Sequence, residues 1–274
     1  MDKNINNYYL AKYKVFNNGK IKYREYDRFL KVPKDRNSIK QDNKEHEKRV
    51  LKSEGKISKR SLSRTRLNLK ELIENNEDRF LSFITLTYKD EVENIDEAYK
   101  DLRTYIRQCK WLLSKTNEEL FYIAVPEIQH HRAMKSGKYV IHFHLLTSIP
   151  IGSKLIPERE HKRIQGENYK GFKIIKYYDL KYWDKGYSTA QAIEDIKDNG
   201  LSNYLIKYLY KDLDNRFYGR QKLLHSNNLK VPEFNYLLNP DKIKKENHNN
   251  IISKYIYLET DFPFIEYVYK KDKV

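Results

Sequence analysis

Tyr139-Val-Ile-His-Phe-His-Leu-Leu146 reads as a β-strand, and the rest of the chain is ordered by working outward from it. Successive side chains on a strand point to opposite faces, so His142 and His144 project together while Phe143 turns into the core. Two neutral imidazoles side by side make half of a metal site. A His-X-His pair is a weak motif by itself, because most isolated histidines are ordinary hydrogen-bonded residues. Its weight has to come from its neighbours.

Immediately before it, Leu120-Phe-Tyr-Ile-Ala-Val-Pro-Glu-Ile-Gln129 reads as a second strand, joined by a polar loop containing Gly137. Pro126 cannot donate to a ladder, which suits an edge or a bulge. Further upstream, Phe80-Leu-Ser-Phe-Ile-Thr-Leu-Thr-Tyr88 is β-branched and aromatic, the composition of a buried strand. Between them, about Asp96 to Lys115, the set Ala98, Leu102, Tyr105, Ile106, Cys109, Leu112 and Leu113 has the three-and-four spacing of a core-facing helix stripe. Cys109 on that stripe reads as a small core hydrophobe, not a nucleophile. Strand, helix, then hairpin begins a ferredoxin-like, split βαβ arrangement: an α+β fold on an antiparallel sheet.

The flanks are less regular. A helix capped by Ser61 or Ser63 is expected to run to about Glu74, with Leu69, Leu72 and Ile73 as its buried edge. Residues 150 to 186 read as a loop-rich, Lys/Tyr-rich insert, followed by a strand from Tyr187 to Ile196. Asn199-Gly-Leu-Ser202 offers a start for a helix through Asn203-Tyr-Leu-Ile-Lys-Tyr-Leu-Tyr-Lys-Asp212. Ile252 to Leu258 and Phe264 to Tyr269 alternate as strands do. There is no internal repeat and no glycine-rich phosphate loop.

Composition bounds the partners. A chain of 274 residues can bury a sizeable core in one or two domains. Its one cysteine excludes an internal disulfide, and the lack of an apolar leader or of a long apolar run leads us to expect a soluble, cytoplasmic protein without membrane contact. Lys and Arg number 54 against 38 Asp and Glu, a net charge of +16, which favours a polyanion and nucleic acid before a bilayer. Lys, Asn, Ile and Tyr are all abundant, as in proteins of AT-rich genomes, so part of the basicity and of the 24 tyrosines is compositional. Lys44 to Arg66 holds nine basic residues, Arg60 and Arg64 among them, against three glutamates. That run reads either as a solvated arm or as one that contacts phosphates.

Glu127 supplies what the histidine pair lacks. If the loop of the hairpin is centred symmetrically, Glu127 lies opposite His142, and a carboxylate shares one sheet face with two imidazoles. Alone it reads as an exposed strand glutamate; in that company it reads as a ligand for Mg²⁺ or Mn²⁺, with positions left for a substrate phosphate. On the later helix, Tyr204, Lys207, Tyr208 and Lys211 fall on one stripe, and Leu201, Leu205 and Leu209 form the adjoining stripe that would seat it on the sheet. Tyrosines so spaced are often packing residues, but interleaved lysines suit an anion better than a core. A phenol, with a pKa near 10, is a poor nucleophile without an adjacent cation.

Three blocks taken together resemble the HUH endonucleases, in particular the rolling-circle replication initiators of plasmids and single-stranded DNA phages. Phe83-Ile-Thr-Leu-Thr-Tyr88 looks like the first motif, His142-Phe-His144 the second and Tyr204-Leu-Ile-Lys-Tyr208 the third. Ser61-Leu-Ser-Arg64, Gly186-Tyr-Ser-Thr-Ala190 and Gly219-Arg220 are similar to flanks of the phage-type proteins. The resemblance implies an HUH domain over residues 76–218, between a basic extension of 1–75 and a C-terminal extension of 219–274. It implies a metal held by His142, His144 and Glu127, with Tyr204 as nucleophile, Tyr208 as a second one and Lys207 on the phosphate. Lys211, Arg60 and Arg64 are expected to contact DNA. In that family one strand is nicked, the enzyme stays on the 5′ phosphate, and a host polymerase extends the 3′-OH, with unwinding by a host helicase. A related transposase or mobilisation relaxase uses the same chemistry. A basic single-stranded nucleic-acid-binding module of ferredoxin-like fold is the non-catalytic alternative. Oligomeric state is not legible in the sequence.

Overall fold

Three apolar segments with period-two alternation organise the computed structural model, which describes residues 8–32, 59–90, 92, 94–128, 140–168, 171–195, 205, 219–239, 251–257 and 264–270. In chain order the elements are β1 (Tyr8–Val15), β2 (Lys20–Lys31), α1 (Lys59–Glu74), β3 (Ser82–Thr87), α2 (Ile95–Ser114), β4 (Tyr122–Ile128) and β5 (Ile141–Thr147). They continue with β6 (Glu160–Asn168), β7 (Gly171–Asp179), β8 (Ser188–Ala192), β9 (Leu224–His225), β10 (Asn235–Leu237), β11 (Ile251–Tyr257) and β12 (Phe264–Lys270). The fold is α+β, with two antiparallel sheets, and the chain divides into two compact units: Ser53–Leu229, and Met1–Lys52 with Lys230–Val274.

The larger unit is built on a seven-stranded sheet of order β6-β7-β8-β3-β5-β4-β9. β5 runs antiparallel to both β3 and β4, so β3 and β4 are parallel to each other and enclose β5. That is the split βαβ arrangement, with α2 as the crossover. Asn94 caps α2, its side chain accepting from the Asp96 N–H at 3.0 Å, and Asp96 and Glu97 complement the positive end of the helix dipole. Its stripe of Ala98, Leu102, Tyr105, Ile106, Cys109 and Leu113 packs on Ile84, Leu86, Ala124, Phe143 and Leu145. Each fully buried large side chain contributes about 1.5–3 kcal/mol.

The opposite face carries Phe83, Ile123, Val125 and Leu146, covered by Leu69, Leu72 and Ile73 of α1. Those three are the edge expected of α1. The helix nevertheless includes Ser61 and Ser63 in its first turns, which corrects their reading as caps. Pro126 pairs with Phe143 on one side, while β9 reaches only Ile123 and Ala124 on the other, so β4 is an edge strand at the proline. Residues 150 to 186 also differ from expectation. They include the hairpin β6–β7, whose register runs from Glu160↔Tyr178 to Asn168↔Gly171. Charged residues at most positions hide its alternation.

The smaller unit is a five-stranded sheet of order β10-β1-β2-β12-β11. Its N-terminal strands are hidden in the sequence because tyrosine and lysine occupy the alternating positions. One face packs Ala11, Ile21, Tyr23 and Tyr269. On the other, cations lie over rings: Lys12 and Lys14 at 4.3 and 4.0 Å from the Phe234 centroid, Lys22 at 4.9 Å from Phe16, and Arg24 at 5.1 Å from Phe264. Lys14 and Lys22 are buried by this arrangement, their stems contributing to packing. Several tyrosines are therefore structural here, and burial pushes the Tyr269 phenol up to about 12.

Cys109 gives a direct check on the core of the larger unit. It is buried, and desolvation raises its thiol to about 12, so the thiolate is nearly absent near pH 8. The sign follows: a raised pKa in the folded state contributes stability that is complete below the unfolded thiol range and is lost as pH rises toward about 12. Ellman's reagent at pH 8 is expected to leave the native protein unmodified and to release one thiolate per chain in denaturant. Prompt stoichiometric reaction of the native protein contradicts this packing.

Candidate metal centre

Strand register alone assembles a polar patch on the α1 side of the larger sheet. Glu127 pairs with His142 and Val125 with His144 across β4–β5; Thr87 pairs with His142 and Thr85 with His144 across β3–β5. Cross-strand partners share a face, so Thr87, His142 and Glu127 form one row and Thr85, His144 and Val125 the next. Beyond them, Phe83, Leu146 and Ile123 form a third, apolar row. The face is polar at one end and greasy at the other.

Glu127, His142 and His144 are all buried, at 8, 7 and 4% exposure. Glu127 is therefore not the exposed strand glutamate that it resembles when read alone. Its carboxylate accepts from His144 Nε2 at 2.5 Å, diagonally across the ladder. The two imidazole centroids are 6.2 Å apart. One donor atom from each of the three residues falls within 4.8 Å of the others.

His144 is fixed from two further directions. Its ring stacks on Phe83 with centroids 5.7 Å apart and planes 14° from parallel, and its Nδ1 lies 3.3 Å from the Thr85 hydroxyl. With Nε2–H donated to Glu127, Nδ1 accepts from Thr85. A hydroxyl also accepts, so the other tautomer, with Nδ1–H on Thr85 and the Nε2 lone pair free for a cation, costs no partner. The group thus suits a divalent ion: two nitrogens and a carboxylate oxygen converge, and the hydrogen bond between them is one that an ion replaces. Phe83 and Thr85 belong to a strand motif in the sequence but carry no role there. Counting two residues at a time along that strand, against the histidine strand, would have found them.

Other expected site residues are placed unevenly. Arg64 is exposed on α1. Arg60 lies on the same helix, its side chain outside the described residues, as are Tyr204, Lys207, Tyr208 and Lys211. Leu205 is described: it is helical, fully buried, and belongs to the cluster of Phe83, Val125 and Leu146, on the face that carries the histidines. Arg220, noted as a flank, grips Asp96 at the start of α2 with two contacts of 2.7 Å. Its neighbour Gly219 takes the left-handed conformation there, at φ 73°.

If the three side chains act as one donor set, isothermal titration with Mn²⁺ is expected to show saturable binding that Glu127→Ala or His144→Ala abolishes. Thr85→Val, which removes the partner of Nδ1, is expected to weaken that binding by about 10–100-fold. Equal affinity in all four proteins contradicts the assignment.

The family model described as Replication-associated protein ORF2 matches residues 81–213, just under half of the chain. The matched span holds Glu127, His142 and His144 and extends past Tyr204 and Tyr208. No curated protein and no solved structure matches. No helix among the described residues is long and apolar enough to cross a membrane. The match supports a replication-associated (Rep) protein family.

Proposed function

We propose that this chain is a metal-dependent, site-specific DNA-nicking and strand-joining initiator of rolling-circle replication, with Tyr204 as its nucleophile. The single observation that carries the reading is Leu205. It is buried on the histidine face, and the Cα of Tyr204 is about 3.8 Å from its own by covalent geometry. The family match and the +16 charge favour DNA as the substrate.

His142, His144 and Glu127 would hold Mg²⁺ or Mn²⁺, which when bound supplies Lewis-acid polarisation of a phosphate oxygen. Tyr204 Oη attacks the scissile phosphorus and gives up its proton; the Oη–P bond forms, the P–O3′ bond breaks, and the departing 3′ oxygen takes a proton. The bond energy is retained as a 5′-phosphotyrosine. Attack by a 3′-OH reverses the step and rejoins a strand without ATP. Lys207 offsets charge on the phosphate in flight. Tyr208, one helical turn along, serves a second transfer, and Lys211, Arg60 and Arg64 contact the DNA backbone. A host polymerase would extend the 3′-OH and a host helicase would open the duplex.

Incubation of the full chain with labelled single-stranded DNA and Mn²⁺, followed by denaturing electrophoresis, is expected to show a protein–DNA adduct. Tyr204→Phe, chelation of the metal, and the His142→Ala, His144→Ala double variant each remove it. Tyr208→Phe keeps the first adduct and loses strand transfer. Salt-sensitive DNA binding without any adduct overturns nicking in favour of a binding module.

A further inference from the structure

The row that carries the metal donors does not end at β3. Thr87 N–H donates to Tyr187 O at 2.7 Å, which extends the β3–β8 ladder one step past Leu86↔Ser188. Counting back by twos from Gln191 and Thr189, which oppose Phe83 and Thr85, puts Tyr187 on the histidine face. Glu127, His142, Thr87 and Tyr187 are thus consecutive members of one cross-strand row. At ordinary strand spacing Tyr187 lies two strands, roughly 10 Å, from His142.

The backbone at Tyr187 is pinned. Trp183 Nε1 donates to Thr87 O at 3.0 Å, and Lys89 N donates to Lys185 O at 2.9 Å. Gly186 permits the approach: a Cβ there would come within 2.2 Å of Lys89 N and 2.5 Å of Thr87 O. Trp183 is itself buried against Tyr88, with ring centroids 5.2 Å apart. Yet the side chain that this scaffold presents is 72% exposed, the highest value among the large apolar and aromatic side chains described. Tyr88, Tyr99 and Tyr105, by contrast, are buried. A rigid backbone presenting an open phenol ring beside a metal-donor row has the form of a stacking platform.

We propose that Tyr187 is a positioning residue that stacks on a nucleobase of single-stranded DNA and so aligns the neighbouring phosphate with the Glu127, His142 and His144 group. This rests on the reading that a DNA strand crosses that face. A stacked strand rises about 3.4 Å per nucleotide, so the ring engages a base a few nucleotides from the phosphate at the metal. Stacking needs a base with an open face, so the contact belongs to single strands and not to duplex.

The test is fluorescence anisotropy with a labelled mixed-sequence single strand, in EDTA and in a Tyr204→Phe background, so that binding is read without cleavage. Tyr187→Ala is expected to weaken binding by roughly 5- to 150-fold, the range for loss of one base–aromatic stack. Tyr187→Phe and Tyr187→Trp are expected to restore it, the salt slope to stay unchanged because no phosphate contact is lost, and duplex binding to be unaffected. Wild-type affinity in Tyr187→Ala, or an equal loss on duplex, overturns the inference. The two readings fail separately. Tyr187-dependent binding without any adduct sinks nicking alone, whereas an adduct formed while Tyr187→Ala binds normally sinks this inference alone.

Discussion

The antiparallel register of β3, β5 and β4 is the constraint on which the site depends. Side chains on a strand alternate with period two, so a slip of one residue between β4 and β5 would move Glu127 to the face of α2 and leave the histidines without a carboxylate. The register is held on both faces at once. Phe143 and Leu145 are locked under α2, and Val125 and Leu146 under α1. No polar interaction has to choose the pairing, because the hydrophobic pattern already does.

The same face is graded along the strands. Ile123, Leu146 and Phe83 lie at its apolar end, where α1 and Leu205 cover them; Glu127, His142 and Thr87 lie at the other end. His144 sits at the boundary, stacked on Phe83 on one side and bonded to Glu127 on the other. A ligand at such a boundary loses little freedom on binding an ion, since packing and hydrogen bonds already fix its ring. Leu205 at the apolar end gives the account of the tyrosine segment its physical basis: the covering residue is greasy, and its chain neighbour at 204 is a phenol.

Much of this was legible in the residues. The three central strands, α2 with its stripe, Cys109 as a core residue and the pairing of Glu127 with His142 all follow from period-two and three-and-four spacing. What was not legible shares one cause, which is that Lys and Tyr do two jobs in this chain. In β1 and β2 they alternate as a strand should, but lysines over aromatic rings and buried tyrosines do not look like a core. The charged hairpin β6–β7 escaped for the same reason. Ser61 and Ser63 misled because serine is a good cap wherever it precedes a helical stripe, and only backbone geometry shows that α1 starts earlier. Tyr187 could not be singled out among 24 tyrosines until the ladder placed it on the donor row.

The central claim is that Tyr204 and the Glu127, His142 and His144 group share one small space. Fluorotyrosine incorporated at position 204 and observed by ¹⁹F NMR tests it directly, because Mn²⁺ broadens only nuclei close to it. One equivalent of Mn²⁺ should erase the resonance, EDTA should restore it, and the Glu127→Ala, His144→Ala double variant should keep it sharp. A resonance at 204 that stays sharp while titration shows Mn²⁺ bound would contradict the account.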